Sequence, residues 1–210
     1  MIFPLKTQKM ANSNTPNDVP PQRQFVRDVV FDWNIVQYWM SDKMSEAVEP
    51  VLKEMNAVNL RFVISEISIY EAQCRIPIGK NVEAHEFLLG IPRYPIDINT
   101  HILMGAVSSC YKNHEKTKSH SSAISLPDVI NASCAIQNNA LLMTANVEDY
   151  PFPFFDPVYT WTIAGEKSEP IKVCLLQADI VQFDHLINKW IKQAEMAKKK
   201  DKTQVAKKGK

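Results

Sequence analysis

The chain has 210 residues, of which 45% are hydrophobic and 22% are charged, and its formal net charge is +1. This apolar content is enough for one good-sized core with extensions. No run of eighteen apolar residues occurs and the opening MIFPLKTQKM soon becomes polar, so we expect neither a membrane-spanning helix nor a secretory signal. The four cysteines form no CxxC pair, which argues against a zinc site and predicts reduced, buried thiols in a cytoplasmic protein.

The two ends of the chain differ in composition from the middle. Residues 1–24 include the polar, proline-bearing segment NSNTPNDVPPQRQ and are predicted to be a flexible leader. Residues 198–210 carry seven lysines and one aspartate and are predicted to be a basic disordered tail. Such a tail either keeps the protein soluble or attracts phosphate groups non-specifically, and both interpretations stay open.

Between these ends, short apolar runs alternate with segments of helical periodicity. The predicted strands are the run from Val29 to Phe31, which ends at Asp32, and residues 60–64, 94–98 and 140–144. The predicted helices are a segment capped by Ser41 and reaching Met55, residues 65–74, residues 81–89, a segment capped by Asn99, and residues 127–137. A polar loop is expected over residues 114–125. This alternation predicts parallel crossovers and a three-layer α/β/α fold with a mostly parallel sheet over residues 25–152.

The pattern changes after Pro151. The segment PFPFFDPVYTWTI is rich in aromatic residues and proline, and we interpret it as core or dimer contact in preference to a base-stacking platform. Residues 171–176 are predicted to form a fifth strand, and residues 178–197 a long amphipathic helix. Residues 153–197 are therefore predicted to be a C-terminal extension packed on the domain.

Four short segments each contribute one acid that is a candidate for chemistry. Asp32 and Asp149 follow the first and fourth predicted strands, whereas Glu71 and Asp128 lie on predicted helices. Parallel strands collect functional groups beyond their carboxyl ends, at the point where strand order reverses. If the first and fourth strands are neighbours there, the four acids face one crevice. A cluster of hard oxygen ligands is what Mg²⁺ or Mn²⁺ requires.

Each of these acids also has an ordinary structural explanation. Asp32 suits a helix cap, Glu71 a surface charge, and Asp149 a turn before Tyr-Pro. Asp128 completes a Ser125-x-x-Asp128 capping box at a helix start, which by itself accounts for its presence. The argument for a shared site therefore depends on the four segments taken together.

The order of the four segments resembles the PIN-domain ribonucleases, especially the VapC-type toxins of toxin–antitoxin pairs. FDWN is similar to the opening strand-D-x-N motif of that family, and ISEISIYEA to its I-S-x-I/T-S/T-x-x-E motif. SLPDVINASCAI resembles its third acidic helix start, and LLMTANVEDYP its strand-T-x-N/D-x-x-D-F/Y element. The second acid of the pattern falls on Glu71 and not on the nearer Glu66. The resemblance covers about residues 26–152.

The resemblance implies metal-dependent hydrolysis of phosphodiester bonds in single-stranded or loop RNA. It places one or two Mg²⁺ or Mn²⁺ ions among the four acids, with three further residues orienting the substrate or supporting the ligands. The implied ligands and catalytic residues are Asp32, Glu71, Asp128 and Asp149, and the implied supporting residues are Asn34, Thr144 and Asn146. It also implies an antitoxin protein as a partner, and a homodimer.

Two residues depart from the pattern of the family. Trp33 stands where a small threonine is usual, and Ala145 stands where an arginine is frequent. A bulky Trp33 either narrows the crevice or stacks on a base, and the loss of the arginine removes one phosphate contact. These departures leave open a PIN-like module with weakened catalysis that binds RNA or a protein. A phosphatase with Asp32 as nucleophile is disfavoured, because Asn34 stands where a second aspartate is needed.

Overall fold

The computed structural model describes residues 27–75, 82–115, 117, 124–165, 169–189, 192, 193 and 196. The predicted leader and lysine-rich tail lie outside these residues, as does most of the predicted loop over 114–125. The strands are β1 (Arg27–Phe31), β2 (Leu60–Ser65), β3 (Arg93–Tyr94), β4 (Leu141–Thr144), β5 (Phe155–Ala164) and β6 (Pro170–Ala178). The helices are α1 (Trp33–Met40), α2 (Ser45–Ala57), α3 (Glu66–Arg75), α4 (Val82–Gly90), α5 (Ile98–Asn113) and α6 (Leu126–Gln137). Residues 147–149 form a 3₁₀ turn, and residues 180–189 are helical.

The six strands form one sheet in the order β3-β2-β1-β4-β6-β5. The three pairings among β3, β2, β1 and β4 are parallel, and β6 and β5 continue the sheet in antiparallel fashion. Side chains alternate between the faces, so Val29 and Phe31 belong to one core cluster and Val30 to the other. Helices α1–α4 cover the first face, whereas α5, α6 and the helix at 180–189 cover the second. The predicted three-layer α/β/α fold with a mostly parallel sheet is confirmed.

Some predicted boundaries were wrong for local reasons. Helix α1 follows Asp32 directly and was not predicted, and Ser41 ends it instead of capping α2. The third strand is only two residues long, because Asp97 caps α5 through a capping box with Thr100, so that the chain turns into the helix early. Cys74 is exposed, in contrast to the three other cysteines, which are buried.

The largest missed element is strand β5. No strand was predicted in this proline-rich segment, but Pro157 lies on an edge strand beside a register shift, where a proline removes no necessary ladder bond. The aromatic and β-branched residues after it are strong strand formers. Phe154 and Phe155 are buried in the second core cluster, as expected for core positions, whereas Tyr159 is half exposed. Among the helices described, none has the length and apolar content to cross a membrane.

Candidate functional site

The candidate site lies at the carboxyl ends of β1 and β4. These strands are parallel neighbours with Phe31 opposite Met143, and the Asp32 N–H donates to the Met143 carbonyl at 2.9 Å. The order of the parallel strands reverses at β1, because β2 follows it in sequence on one side and β4 lies on the other. A crevice at such a reversal is where open α/β sheets place ligands.

Asp32 is a buried carboxylate held by neutral groups, with only 5% of its surface exposed. Its Oδ2 accepts hydrogen bonds from Thr144 Oγ1 and Asn34 Nδ2, both at 2.7 Å, and its Oδ1 accepts a longer one of 3.4 Å from Asn131 Nδ2. Asp32 stands at the N-cap of α1, but its side chain makes no capping hydrogen bond. Within the described part of the chain it has no lysine, arginine or histidine partner.

Asn34, Thr144 and Asn146 hold the two strand-end carboxylates in place. The Ala145 N–H donates to Asn34 Oδ1 at 3.0 Å, and the Asn146 N–H donates to Thr144 Oγ1 at 2.9 Å. Asn146 Nδ2 donates to Asp149 Oδ2 at 2.5 Å. These bonds make the segment after β4 a support for both Asp32 and Asp149.

Asp128 both completes the capping box of α6 and acts electrostatically on the other acids. Its Oδ2 accepts from the Ser125 N–H at 3.0 Å and from Ser125 Oγ at 2.5 Å, so the predicted capping box is confirmed. The residue is 8% exposed. One carboxylate oxygen is thus committed to the helix start, and the described residues leave Oδ1 without a hydrogen bond.

Glu71 is half-buried on α3 and accepts no hydrogen bond from the residues that the structure describes. Glu66, one and a half turns earlier, has a different environment, because its Oε2 accepts from the Ile96 N–H at 3.1 Å. The two glutamates of α3 therefore differ in their surroundings, and Glu71 is the one whose pKa responds to Asp32 and Asp128.

Burial raises the pKa of each of the four acids, and for three of them the charge of a neighbouring acid raises it further. Burial raises the pKa of Asp32 to about 6, opposed by the Thr144 hydrogen bond and reinforced by the charge of Asp128. Burial, followed by the charges of Asp32 and Asp128, raises the pKa of Glu71 to about 7. Burial, followed by the charges of Asp128 and Asp32, raises the pKa of Asp149 to about 7. Burial also raises the pKa of Asp128. The fold therefore brings Glu71 and Asp149 each within electrostatic range of Asp32 and Asp128.

The crevice fits a divalent cation in chemistry and charge, but it is not a preformed cage. Its donors are carboxylate oxygens with a surplus of negative charge, which suits Mg²⁺ or Mn²⁺. Over the ranges described, however, no three Asp, Glu, His or Cys side chains lie close enough together to hold an ion as they stand. Side-chain rotation, most readily of the half-buried Glu71 and Asp149, is needed to close a site around a cation.

Similarity to known proteins is low. No family model matches the chain, and no curated protein matches it. Among solved structures, it is similar to a chain of VapBC2 from Rickettsia felis bound to a DNA fragment from their promoter, with 21% identity and a TM-score of 0.43. The match covers 60% of this chain and 93% of that chain.

Sequence reasoning missed a chain of buried polar groups beneath the acids. Ser65 Oγ, at the end of β2, donates to Asn131 Oδ1 at 2.5 Å and lies 3.3 Å from Ser68 Oγ. Asn131 in turn donates to Asp32. The signal was present in the sequence, because Asn131 interrupts the apolar stretch of α6 and both serines belong to the ISEIS segment. A polar residue amid apolar neighbours on a buried helix face requires a partner.

Two buried tyrosines, Tyr111 on α5 and Tyr150 directly after the turn that follows β4, lie within electrostatic range of the acids. The Tyr111 hydroxyl has no hydrogen-bond partner among the described residues, and Tyr150 lies beside Asn131 without a well-aligned hydrogen bond. Burial and the charges of Asp32 and Asp128 raise the pKa of Tyr150, so it stays a neutral phenol.

The two departures from the family pattern have different consequences. Trp33 is 6% exposed and belongs to the first core cluster, so it is not available to stack on a base. Its indole N–H is buried without a hydrogen bond to any described residue. Ala145 is half-buried and its N–H supports Asn34, but its methyl side chain offers nothing to a phosphate.

Proposed function

We propose that the protein is a Mg²⁺- or Mn²⁺-dependent endoribonuclease of the PIN-like type, which hydrolyses phosphodiester bonds in single-stranded or loop RNA. The proposed ligands are Asp32, Glu71, Asp128 and Asp149. What supports this most is Asp32, a buried carboxylate at the β1–β4 switch point with three other acids in electrostatic range and no described cation beside it. Isolated buried charge of one sign is costly, and a bound cation offsets it.

The residues of the chain have distinct tasks in this proposal. Thr144 and Asn34 fix one oxygen of Asp32 and leave its other oxygen, to which Asn131 makes only a long contact, directed to the crevice. Asn146 orients Asp149. A divalent cation bound there supplies Lewis-acid stabilisation of a phosphate and lowers the pKa of water. The raised pKa values of Glu71 and Asp149 allow either to exchange a proton near neutral pH when no cation is bound.

The test is cleavage of a labelled single-stranded RNA with Mg²⁺ or Mn²⁺. We expect Asp32→Asn and Glu71→Gln, as well as EDTA, to reduce cleavage by at least about two orders of magnitude. Glu66→Gln is the matched control, because it changes the same charge on the same helix and keeps an acceptor for the Ile96 N–H. Full activity in EDTA, or in the Asp32 variant, contradicts the metal mechanism.

A second candidate function is a PIN-like module that binds RNA or a protein without cutting. It is favoured by the absence of a preformed three-acid group in the described residues and by the use of Asp128 as a cap. Isothermal titration with Mn²⁺ separates the two. Metal binding lost in Asp32→Asn favours the nuclease, whereas RNA binding with no metal uptake favours the module.

The resemblance to VapC-type toxins extends the proposal to partners. In that case the protein is a cytoplasmic toxin that pairs with itself and with a small antitoxin covering the acidic crevice. Co-expression with the product of a small adjoining reading frame tests this. Suppression of cleavage by a co-purifying partner supports the toxin, whereas unrestrained cleavage with no such partner favours a housekeeping nuclease.

A further inference from the structure

The β5–β6 hairpin extends past the candidate site. Thr144, the last residue of β4, lies opposite Cys174, and β6 begins four residues earlier at Pro170. Those four residues pair only with β5, so the hairpin projects about 13 Å beyond the end of β4 at about 3.3 Å per residue. The segment of Asn146 and Asp149 leaves β4 at this same edge, and the hairpin therefore forms a wall beside it.

One face of this wall carries exposed polar donors. Lys172 is directly opposite Thr162, and Thr160 is opposite Cys174. All three of Thr160, Thr162 and Lys172 are exposed. The alternate residues Ile163 and Val173 belong to the first core cluster, so the donors point to the opposite face, where α6 and the turn at residues 147–149 also lie.

Lys172 also places a positive charge on this face of the hairpin. It makes no ion pair with any residue in the described ranges. The segment after β4 offers no cation of its own, because residues 145–149 read ANVED. Lys172, on the neighbouring strand, is two residues past the partner of Thr144 and supplies a positive charge at this edge.

We propose that Thr160, Thr162 and Lys172, the hairpin strip, bind the sugar–phosphate backbone of single-stranded RNA as it leaves the acidic crevice. This inference rests on the proposed ribonuclease function. Lysine and threonine donors contact phosphate oxygens without reading bases, so the strip contributes affinity independent of sequence. The acids repel the phosphate backbone, whereas the ammonium group of Lys172, which lies farther along the hairpin, attracts it and holds the strand beside the crevice.

The experiment measures binding of a labelled single-stranded RNA by fluorescence anisotropy in EDTA over a series of salt concentrations. We expect Lys172→Ala to weaken binding and to reduce the slope of log affinity against log salt by about 0.7, the value for one neutralised phosphate of a single strand. Lys172→Arg should restore both. Lys53→Ala is the control, because it removes one exposed lysine charge from α2, which covers the face of the sheet opposite to the hairpin strip.

Cleavage kinetics keep this proposal separate from the ribonuclease itself. We expect Lys172→Ala to raise KM and leave kcat unchanged, because the strip binds ground state and transition state alike. An unchanged salt slope, or the same loss in Lys53→Ala, overturns the strip even if the wild-type protein cuts RNA. If the wild type does not cut, the nuclease is wrong, and the anisotropy series alone decides the strip.

Discussion

Thr144 takes part in three hydrogen bonds beside Asp32. Its hydroxyl donates to Asp32, accepts from the Asn146 N–H and lies 3.2 Å from Asn34 Nδ2. Thr144 is fully buried, so removal of its hydroxyl takes one donor from the buried Asp32 carboxylate and an acceptor from the Asn146 N–H. An unsatisfied buried polar group costs about 1–3 kcal/mol.

We therefore expect Thr144→Val to lower the free energy of unfolding by about 1–3 kcal/mol. The substitution also removes a hydrogen bond that lowers the pKa of Asp32, so that pKa rises further. Urea denaturation at a pH of about 7 measures the change. Thr162→Val makes the same chemical change at an exposed position and should stay within about 0.5 kcal/mol. Equal effects of the two substitutions would show that the buried network adds no stability.

At the scale of the element, the start of α6 combines capping with the placement of an acid. Ser125 Oγ accepts from the Asp128 N–H at 3.5 Å and donates to its carboxylate, and Pro127 lies in the first turn. Loss of an N-cap hydroxyl costs about 1 kcal/mol. We expect Ser125→Ala to lower the free energy of unfolding by that amount and Ser125→Thr to preserve it.

The same pair of variants tests whether the cap positions Asp128. In Ser125→Ala the Asp128 carboxylate keeps the backbone N–H donor of residue 125 but loses the hydroxyl donor. We therefore expect cleavage by Ser125→Ala to fall by more than its stability loss explains when both variants are assayed well below their unfolding temperatures. Cleavage that matches wild type in the folded protein would assign Ser125 to stability alone.

The elements differ in how well the sequence predicted them. Strands β1, β2 and β4 were predictable because each is a short apolar run ending in a polar residue. Helix α1 was not, since its eight residues are mainly aromatic and β-branched and have weak helical propensity of their own. Its stability comes from packing Ile35 and Val36 into the first core cluster, which is a tertiary effect.

Prediction of the site had a similar limit. The order of the acidic segments pointed to the residues around the crevice, whereas the contact between Asp32 and Asn131 spans 99 positions and depends on α6 lying over the sheet. The spacing of the acids was beyond reach as well, because periodicity places a residue on an element and does not fix its side-chain rotamer. The wall formed by β5 and β6 was missed, since proline and aromatic residues obscured the first strand of the hairpin.

At the scale of the whole molecule, the sheet has a parallel half and an antiparallel hairpin. The parallel half carries the acids, and the hairpin projects past the candidate site. Both core clusters contain residues from β1, β4 and β6, so the hairpin shares its core with the parallel half. The acids at the joint are uncompensated in the metal-free protein. The free energy that these unpaired carboxylates cost the folded protein is measurable as the dependence of stability on pH.

For the metal-free protein we expect stability to fall as pH rises from about 4 to about 7. The folded pKa values of Asp32, Glu71 and Asp149 lie at about 6, 7 and 7, above the ordinary values of 3.8 for aspartate and 4.5 for glutamate. In this range the unfolded chain releases protons that the folded protein retains, so ionisation favours unfolding. Asp28 and Asp97 have lowered pKa values and act in the opposite sense, but only on further acidification.

Thermal unfolding in EDTA at a pH of about 5.5 and of about 8 measures this effect. We expect the lower Tm at the higher pH, and we expect Mg²⁺ or Mn²⁺ to raise Tm much more at about pH 8, where the ligands are ionised, than at about pH 5.5. Asp149→Asn should flatten the dependence on pH, whereas Glu66→Gln should leave it unchanged. A Tm in EDTA that rises with pH, together with no effect of metal at about pH 8, would mean that the four acids do not share a crevice that a cation stabilises.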